Sequence, residues 1–348
     1  MMCIPGGYSR RPASHRVAWR LVTTWPWPAG AATGIGSHPG TDITEAVKLV
    51  LGELPDLPYL PELPARGPGA DLVGRTAGLL VDLPVEVYAN RWRVAARPGR
   101  DLRTTRDLWQ RDLDTLTAQA AGYAGAFKVQ AAGPWTLAAS LQLPVGGALL
   151  RDPGAVRDLT GSLAEGLRAH VADVAARLPG ATILLQLDEP SLPAALAGRV
   201  PTESGLGSLH PVEAETARDA LRAIVDAVAV PVVAHCCAPD VPVRLLADSG
   251  AAAVALDLDH VPDLDALGEA LDQGLGLVAG AADPRAAAPS PVEVAARVRE
   301  LWHRLGFAAE RLPGQVVVSP ACGLATAPAA QVRAVLAACR DAGRQLLD

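Results

Sequence analysis

The residues best suited to chemistry follow a short apolar run, Pro231-Val-Val-Ala-His235-Cys236-Cys237. The β-branched residues predict a buried strand that ends in a histidine and two cysteines. In a parallel α/β barrel, functional groups lie just past the carboxyl ends of the strands. Imidazole and thiolate are preferred zinc ligands. The stretch therefore indicates a metal or thiol site, although ordinary buried thiols give the same local pattern.

Two other predicted strand ends carry residues of the same kind, Asp257 and Cys322. With the first stretch they complete a possible ligand set for tetrahedral zinc: His235, Cys237, Asp257 and Cys322. Two thiolates make a soft site, which favours activation of a substrate thiol. A hydrolytic zinc more often has histidine and carboxylate ligands and activates water.

Acidic residues end two further predicted strands, at Glu62 and at Asp188. A pair of acids on one face can bind an ammonium group or act as acid and base, whereas Asp188 alone is equally suited to cap a helix. Ser37 lies in a glycine-rich turn and can offer its hydroxyl to a carboxylate, unless the turn binds nothing. Trp135 is either a stacking surface for a cofactor or part of the core.

Strand and helix patterns alternate along the chain. Apolar strand segments centre near residues 33, 59, 127, 184, 232, 254, 277 and 317, and each precedes a helical pattern. This alternation predicts one (β/α)₈ TIM barrel over residues 33–348, with the zinc site at the carboxyl ends of the strands. A doubly wound open sheet is the alternative, but no phosphate-binding glycine motif opens a helix. The alternation over residues 85–94 predicts an additional hairpin or edge segment.

Composition narrows the class of protein further. The net charge of −6 argues against nucleic-acid binding, and no apolar run reaches the roughly 18–20 residues that span a bilayer. Five cysteines argue against a disulfide framework, so we expect a reduced, cytoplasmic protein. Residues 1–32 are rich in arginine without a signal-peptide core, and we expect a flexible extension.

In this order, the motifs resemble the C-terminal catalytic barrel of the cobalamin-independent methionine synthase family, within the uroporphyrinogen decarboxylase-like barrels. The similarity runs from about residue 33 to residue 346. Five motifs and one strand end carry it: Gly34-Ile35-Gly36-Ser37, Glu62, Leu187-Asp-Glu-Pro-Ser-Leu192, His235-x-Cys237, Asp257 and Pro320-Ala-Cys-Gly-Leu324.

The resemblance implies a Zn²⁺-dependent transfer of a methyl group to the thiol of homocysteine. It implies zinc ligation by His235, Cys237 and Cys322, with Asp257 where the family has glutamate. The pocket residues it implies are Asp188 and Glu62 for the amino group, and Ser37 with the Ile35 backbone for the carboxylate. Because side chains alternate along a strand, Cys236 is expected to point away from the metal.

Three departures from the family bear on the methyl donor. There is no room for a second, N-terminal barrel, Ala282 replaces a histidine that serves in proton delivery to folate, and Ala194 replaces an acidic residue. Methyltetrahydrofolate must be protonated at N5 to release its methyl group, whereas methylcobalamin needs no proton. The departures therefore predict methylcobalamin or a methyl-corrinoid protein as donor.

Other functions remain open on the sequence. They are methylation of another small thiol, use of methyltetrahydrofolate, and a non-catalytic role in binding zinc or handling a corrinoid. A porphyrinogen decarboxylase is disfavoured, because that chemistry does not require a cysteine-rich zinc site.

Overall fold

A parallel sheet of six strands forms the centre of the computed structural model, which describes residues 25–261 and 263–348. The strands pair in chain order, each with the next. They are β3 Gly125–Ala132, β4 Ala181–Asp188, β5 Val232–Cys236, β6 Ala253–Asp257, β7 Gly276–Ala282 and β8 Val316–Pro320. A separate antiparallel hairpin, β1 Val85–Tyr88 and β2 Arg91–Val94, confirms the hairpin predicted over residues 85–94.

Helices connect these strands and cover the outer face of the sheet. They are α1 Ile43–Glu53, α2 Leu72–Ala77, α3 Arg100–Gln119, α4 Pro134–Ser140, α5 Pro153–Arg177, α6 Leu192–Leu196, α7 Ala214–Val228, α8 Val243–Asp248, α9 Leu264–Asp272, α10 Pro291–Arg304, α11 Leu312–Gln315 and α12 Ala329–Gln345. The strands are buried on both faces, as expected for a parallel sheet under helices. Within the described residues no helix has the length and apolar character needed to cross a bilayer.

Two segments without regular ladders connect the edges of the sheet. Isolated parallel bridges join Ala32 to Val318 in β8, Ser37 to Glu62, and Tyr59 to Lys128 in β3. Six of the eight expected strands are thus confirmed, while the segments near residues 33 and 59 form single bridges. The second segment is rich in proline, and proline lacks the N–H that a ladder requires.

The packed part of the chain begins at or before Trp27, earlier than the start at residue 33 predicted from the sequence. It is 4% exposed and packs inside the sheet against small residues such as Ala253. Its indole Nε1 donates to the carbonyl of Gly314 at 3.1 Å, and its ring stacks on Trp25. Since the neighbouring interior side chains are small, an indole fits there. Of the extension expected over residues 1–32, residues 1–24 lie outside the described part.

Glu189 joins the end of β4 to the start of α4. Its buried carboxylate accepts hydrogen bonds from the backbone N–H of Trp135 at 3.0 Å and of Thr136 at 2.8 Å, and from the Thr136 hydroxyl at 2.7 Å. A Cβ at Gly133 would lie 2.3 Å from this carboxylate, so only glycine fits. The Gly133-Pro134 turn and the acid together hold the β3–α4 connection.

Replacing Glu189 by glutamine should therefore destabilise the fold. The amide would turn an N–H₂ toward donors that now face an acceptor, at a cost of about 1–3 kcal/mol. Urea unfolding measures the change. Glu310→Gln, at an exposed position, is the matched control, and equal stability of the two variants would contradict the assigned role.

Candidate active site

His235 and Asp188 lie side by side at the ends of neighbouring strands. They are register partners in β5 and β4, and both are buried. His235 Nδ1 lies 2.5 Å from Asp188 Oδ1. Among the described residues, His235 Nε2 is buried without a hydrogen-bond partner. A carboxylate on one ring nitrogen, with the other nitrogen left unpaired, is the usual arrangement of a metal-binding histidine.

Cys237 and Cys322 meet across the end of the sheet although 85 residues separate them. Their sulfur atoms are 3.5 Å apart. Two thiolates on one tetrahedral zinc, each about 2.3 Å from the metal, would be about 3.8 Å apart. The spacing of the two thiols is therefore close to what one soft divalent metal requires, and the unpaired imidazole nitrogen of His235 is a third donor of suitable chemistry.

The same two cysteines share a proton. A hydrogen bond from Cys237 lowers the pKa of Cys322 to about 6, and the N–H of Gly323 and the nearby His235 add to this effect. The pKa of Cys237 rises, because its proton is held by the Cys322 thiolate. Cys322 is consequently the thiolate of the pair near neutral pH.

Asp257 has other partners in this structure. Its Oδ1 accepts the backbone N–H of Asp259 at 3.0 Å, and its Oδ2 lies 2.9 Å from Nδ1 of His260. Across the described residues, no three His, Cys, Asp or Glu side chains are already arranged around one point as a metal site. Asp257 therefore reaches a metal only if its carboxylate leaves the turn that it caps, and its ligand role stays a prediction.

Cys236 faces the opposite side of β5. It is 1% exposed and packs in the apolar core between the sheet and the helices. Burial raises the pKa of its thiol to about 12. The alternation expected from the sequence thus separates it from Cys237 next to it.

Glu62 and Ser37 occupy the two bridged segments near the cysteine pair. Glu62 is 4% exposed, and burial raises the pKa of its carboxyl to about 7, although Arg75 Nε lies 4.0 Å from Oε1 and opposes the rise. A Cβ at Gly323 would lie 2.1 Å from Ser37 Oγ, so the cysteine loop packs directly on the serine. The structure thus places Ser37 between Glu62, its bridge partner, and the Cys322 loop.

Trp135 does not present a stacking surface. It is 1% exposed, and its indole Nε1 donates to the carbonyl of Ala217 in α7 at 3.1 Å. The expected contact with a cofactor is therefore corrected to a packing role. The reason is that the ring is enclosed between α4 and α7.

Three buried polar residues inside the sheet were not identified as candidate site residues from the sequence. Lys128 and Gln130 of β3 and Gln186 of β4 are at most 3% exposed. Burial lowers the pKa of Lys128 to about 8, although Asp188 and Glu62 counteract the shift. The available signal was a polar residue at every second position of strands that are otherwise apolar.

A six-stranded parallel sheet under helices, with an imidazole, two thiols and buried acids at its strand ends, defines an α/β protein of the kind that carries its functional groups at the carboxyl ends of the strands. The chain belongs to the family described as "Cobalamin-independent synthase, Catalytic domain", which it matches over residues 30–345. It is a methyltransferase. This confirms the resemblance noted in the sequence.

Two solved structures share the fold. One is a B12-independent methionine synthase from a Shewanella species in complex with selenomethionine, with 13% identity and a TM-score of 0.58, covering 92% of this chain and 98% of that one. The other is a methyltransferase from Methanosarcina mazei, with 14% identity and a TM-score of 0.57, covering 92% and 94%. No curated protein matches the chain.

The prediction of a corrinoid donor is wrong, because the family that the chain belongs to is cobalamin-independent. The inference rested on a missing second barrel and on Ala282 in place of a histidine.

The shared proton predicts which cysteine reacts first. In the metal-free protein at pH 7, iodoacetamide should label Cys322 before the buried Cys236 and Cys339, because only thiolates react. Peptide mass spectrometry over a time course measures the order. Labelling of Cys236 at the rate of Cys322 would contradict it, and unfolded protein, in which the sites become equivalent, is the control.

Proposed function

We propose that this protein transfers a methyl group to the thiol of homocysteine and forms methionine. The observation that carries the proposal is the meeting of the Cys237 and Cys322 sulfurs, 3.5 Å apart, beside an unpaired nitrogen of His235. Such a soft site suits a thiol substrate. Buried acids and a serine next to it suit the amino and carboxylate groups of an amino acid.

His235, Cys237 and Cys322 are the residues that would hold zinc. Asp257 is the proposed fourth ligand, once its carboxylate turns away from His260. Zinc bound there supplies a Lewis acid that lowers the pKa of a substrate thiol, so that a thiolate is present at neutral pH. Asp188 keeps the proton on Nδ1 of His235 and thereby leaves Nε2 unprotonated as the donor atom.

Two buried acids, Glu62 and Asp188, give the pocket its preference for an α-amino acid. Glu62 and Asp188 bring two carboxylates to the amino group of the substrate, and Ser37 with the backbone at Ile35 receives its carboxylate. These contacts fix the substrate at its polar end, so that its thiol points to the cysteine pair. Positioning of this kind converts binding energy into rate.

Among the donors considered, methyltetrahydrofolate agrees with a cobalamin-independent family. The substrate sulfur forms a bond to the methyl carbon, the bond from that carbon to N5 breaks, and N5 gains a proton. Ala282 has no proton to give. We propose that solvent supplies it, which makes the reaction slower at high pH.

The two adjacent cysteines offer a matched test of this function. Cys237→Ser should lose zinc and at least about a hundredfold in methionine formation, since one of the four proposed ligands is gone. Cys236→Ser should retain both. Metal analysis is combined with methionine formation from methyltetrahydrofolate and homocysteine, with methylcobalamin as the inactive donor.

Two outcomes contradict the proposal. One is a zinc-loaded protein that makes no methionine from methyltetrahydrofolate. The other is equal activity of the two serine variants.

The pKa of Glu62 predicts how binding of the product depends on pH. A carboxyl with a pKa of about 7 is mostly neutral at pH 6 and mostly charged at pH 8. Methionine has no thiol to titrate, so its Kd should fall roughly tenfold between these values as Glu62 ionises and attracts the ammonium group. Calorimetry measures it, Glu62→Gln should remove the dependence, and a flat profile in the native protein would argue against this role.

A further inference from the structure

The chain has two lysines, and they lie in opposite environments. Lys48 is exposed on α1, whereas Lys128 is fully buried inside the sheet. Removing an ammonium group from water costs several kcal/mol unless partners compensate. Its Nζ donates to the carbonyl of Ile35 at 3.1 Å and lies 4.9 Å from the centre of the Tyr59 ring. Lys128 is buried and its hydrogen bond goes to a backbone carbonyl. This indicates that the lysine serves to fix the position of the Ile35 carbonyl.

Gln186 of the neighbouring strand binds the same carbonyl. Its Nε2 lies 2.8 Å from the Ile35 oxygen and 2.7 Å from Asp188 Oδ1. One amide group therefore connects the first segment of the sheet to the acid that orients His235. Two buried donors from β3 and β4 converge on a single acceptor.

The segment that contains Ile35 needs such support. It has isolated bridges in place of a ladder, formed at Ala32 and Ser37 on either side of Ile35. Between them the side chains of Lys128 and Gln186 hold the backbone from inside. Ser37 follows Ile35 by two residues, so the clamp on the carbonyl also sets the position of the serine.

We propose that Lys128 and Gln186 are positioning residues for the amino-acid pocket. They fix the Ile35–Ser37 segment, which receives the substrate carboxylate, relative to Asp188, which receives the amino group. The inference rests on the proposed function and extends it. Lys128 makes its hydrogen bond to the carboxylate half alone, whereas Gln186 makes hydrogen bonds to both halves because it also holds Asp188.

Three thiols separate the two halves of the pocket: homocysteine, 4-mercaptobutyrate, which lacks the amino group, and 3-mercaptopropylamine, which lacks the carboxylate. Lys128→Met should raise KM for homocysteine and 4-mercaptobutyrate about tenfold, the effect of one lost buried hydrogen bond to a charge. The value of kcat at saturation should stay within about twofold. KM for 3-mercaptopropylamine should rise less than KM for the two carboxylates, because Lys128 makes no hydrogen bond to the residues proposed to receive the amino group.

Companion variants distinguish positioning from general damage. Lys48→Met removes the same charge at the surface and should change nothing. Lys128→Gln keeps a hydrogen-bond donor, so its KM for homocysteine should lie between those of Lys128→Met and the native protein. Gln186→Leu should weaken both halves. Zinc content and circular dichroism should be unchanged in all four variants, and the Lys128→Gln and Gln186→Leu results stand if Lys128→Met does not fold.

An equal loss for all three thiols, or a fall in kcat with KM unchanged, would overturn the positioning role. Failure of the proposed function gives a different result, since the native protein would then methylate none of the thiols. Calorimetric binding of methionine to Lys128→Met and to the native protein decides the positioning role in that case too. Equal affinities would refute it.

Discussion

The carboxylate of Asp188 is the contact on which the arrangement of the site depends. A single oxygen, Oδ1, lies 2.5 Å from Nδ1 of His235 and 2.7 Å from Nε2 of Gln186. Both contacts are buried, where an unpaired charge is expensive and a satisfied one is rigid. Through His235 the acid is connected to the strand end that carries Cys237, and through Gln186 it is tied to the Ile35 segment. The His235 part and the Ile35 part of the candidate site are therefore one hydrogen-bonded unit.

This unit compensates for a weakness in the sheet. The segments near residues 33 and 59 carry glycines and prolines, which weaken strand pairing, and they form isolated bridges in place of ladders. Interior polar side chains replace part of the missing backbone pairing: Lys128 and Gln186 bind Ile35, and Gln130 donates to the carbonyl of Leu60 at 2.7 Å. The interior of the sheet near the amino ends of the strands is apolar and contains Trp27. Polarity thus increases toward the end where the substrate is proposed to bind.

Burial sets the chemistry of the acids in different ways. Glu189 is surrounded by three donors at the start of α4 and serves the fold. Glu62 has a cation at 4.0 Å and is bridged to Ser37, so it lies among the residues of the candidate site. The motif Asp188-Glu189 therefore combines one residue of the site with one residue of the scaffold, although both are acids at the end of the same strand.

The sequence by itself determined the alternation of strands and helices, the family, and the strand ends at which reactive residues lie. These follow from hydrophobic periodicity and from short motifs, which are local properties of the chain. It left Trp135 open between a stacking surface and the core and predicted the wrong methyl donor, because enclosure of a ring and the choice of a second substrate leave no local pattern. Only the tertiary structure brought Cys237 to Cys322, turned Asp257 toward His260, and showed that Lys128 and Gln186 share one carbonyl. Such contacts join residues far apart in the chain, and their distances arise only when the sheet curves and brings its strand ends together.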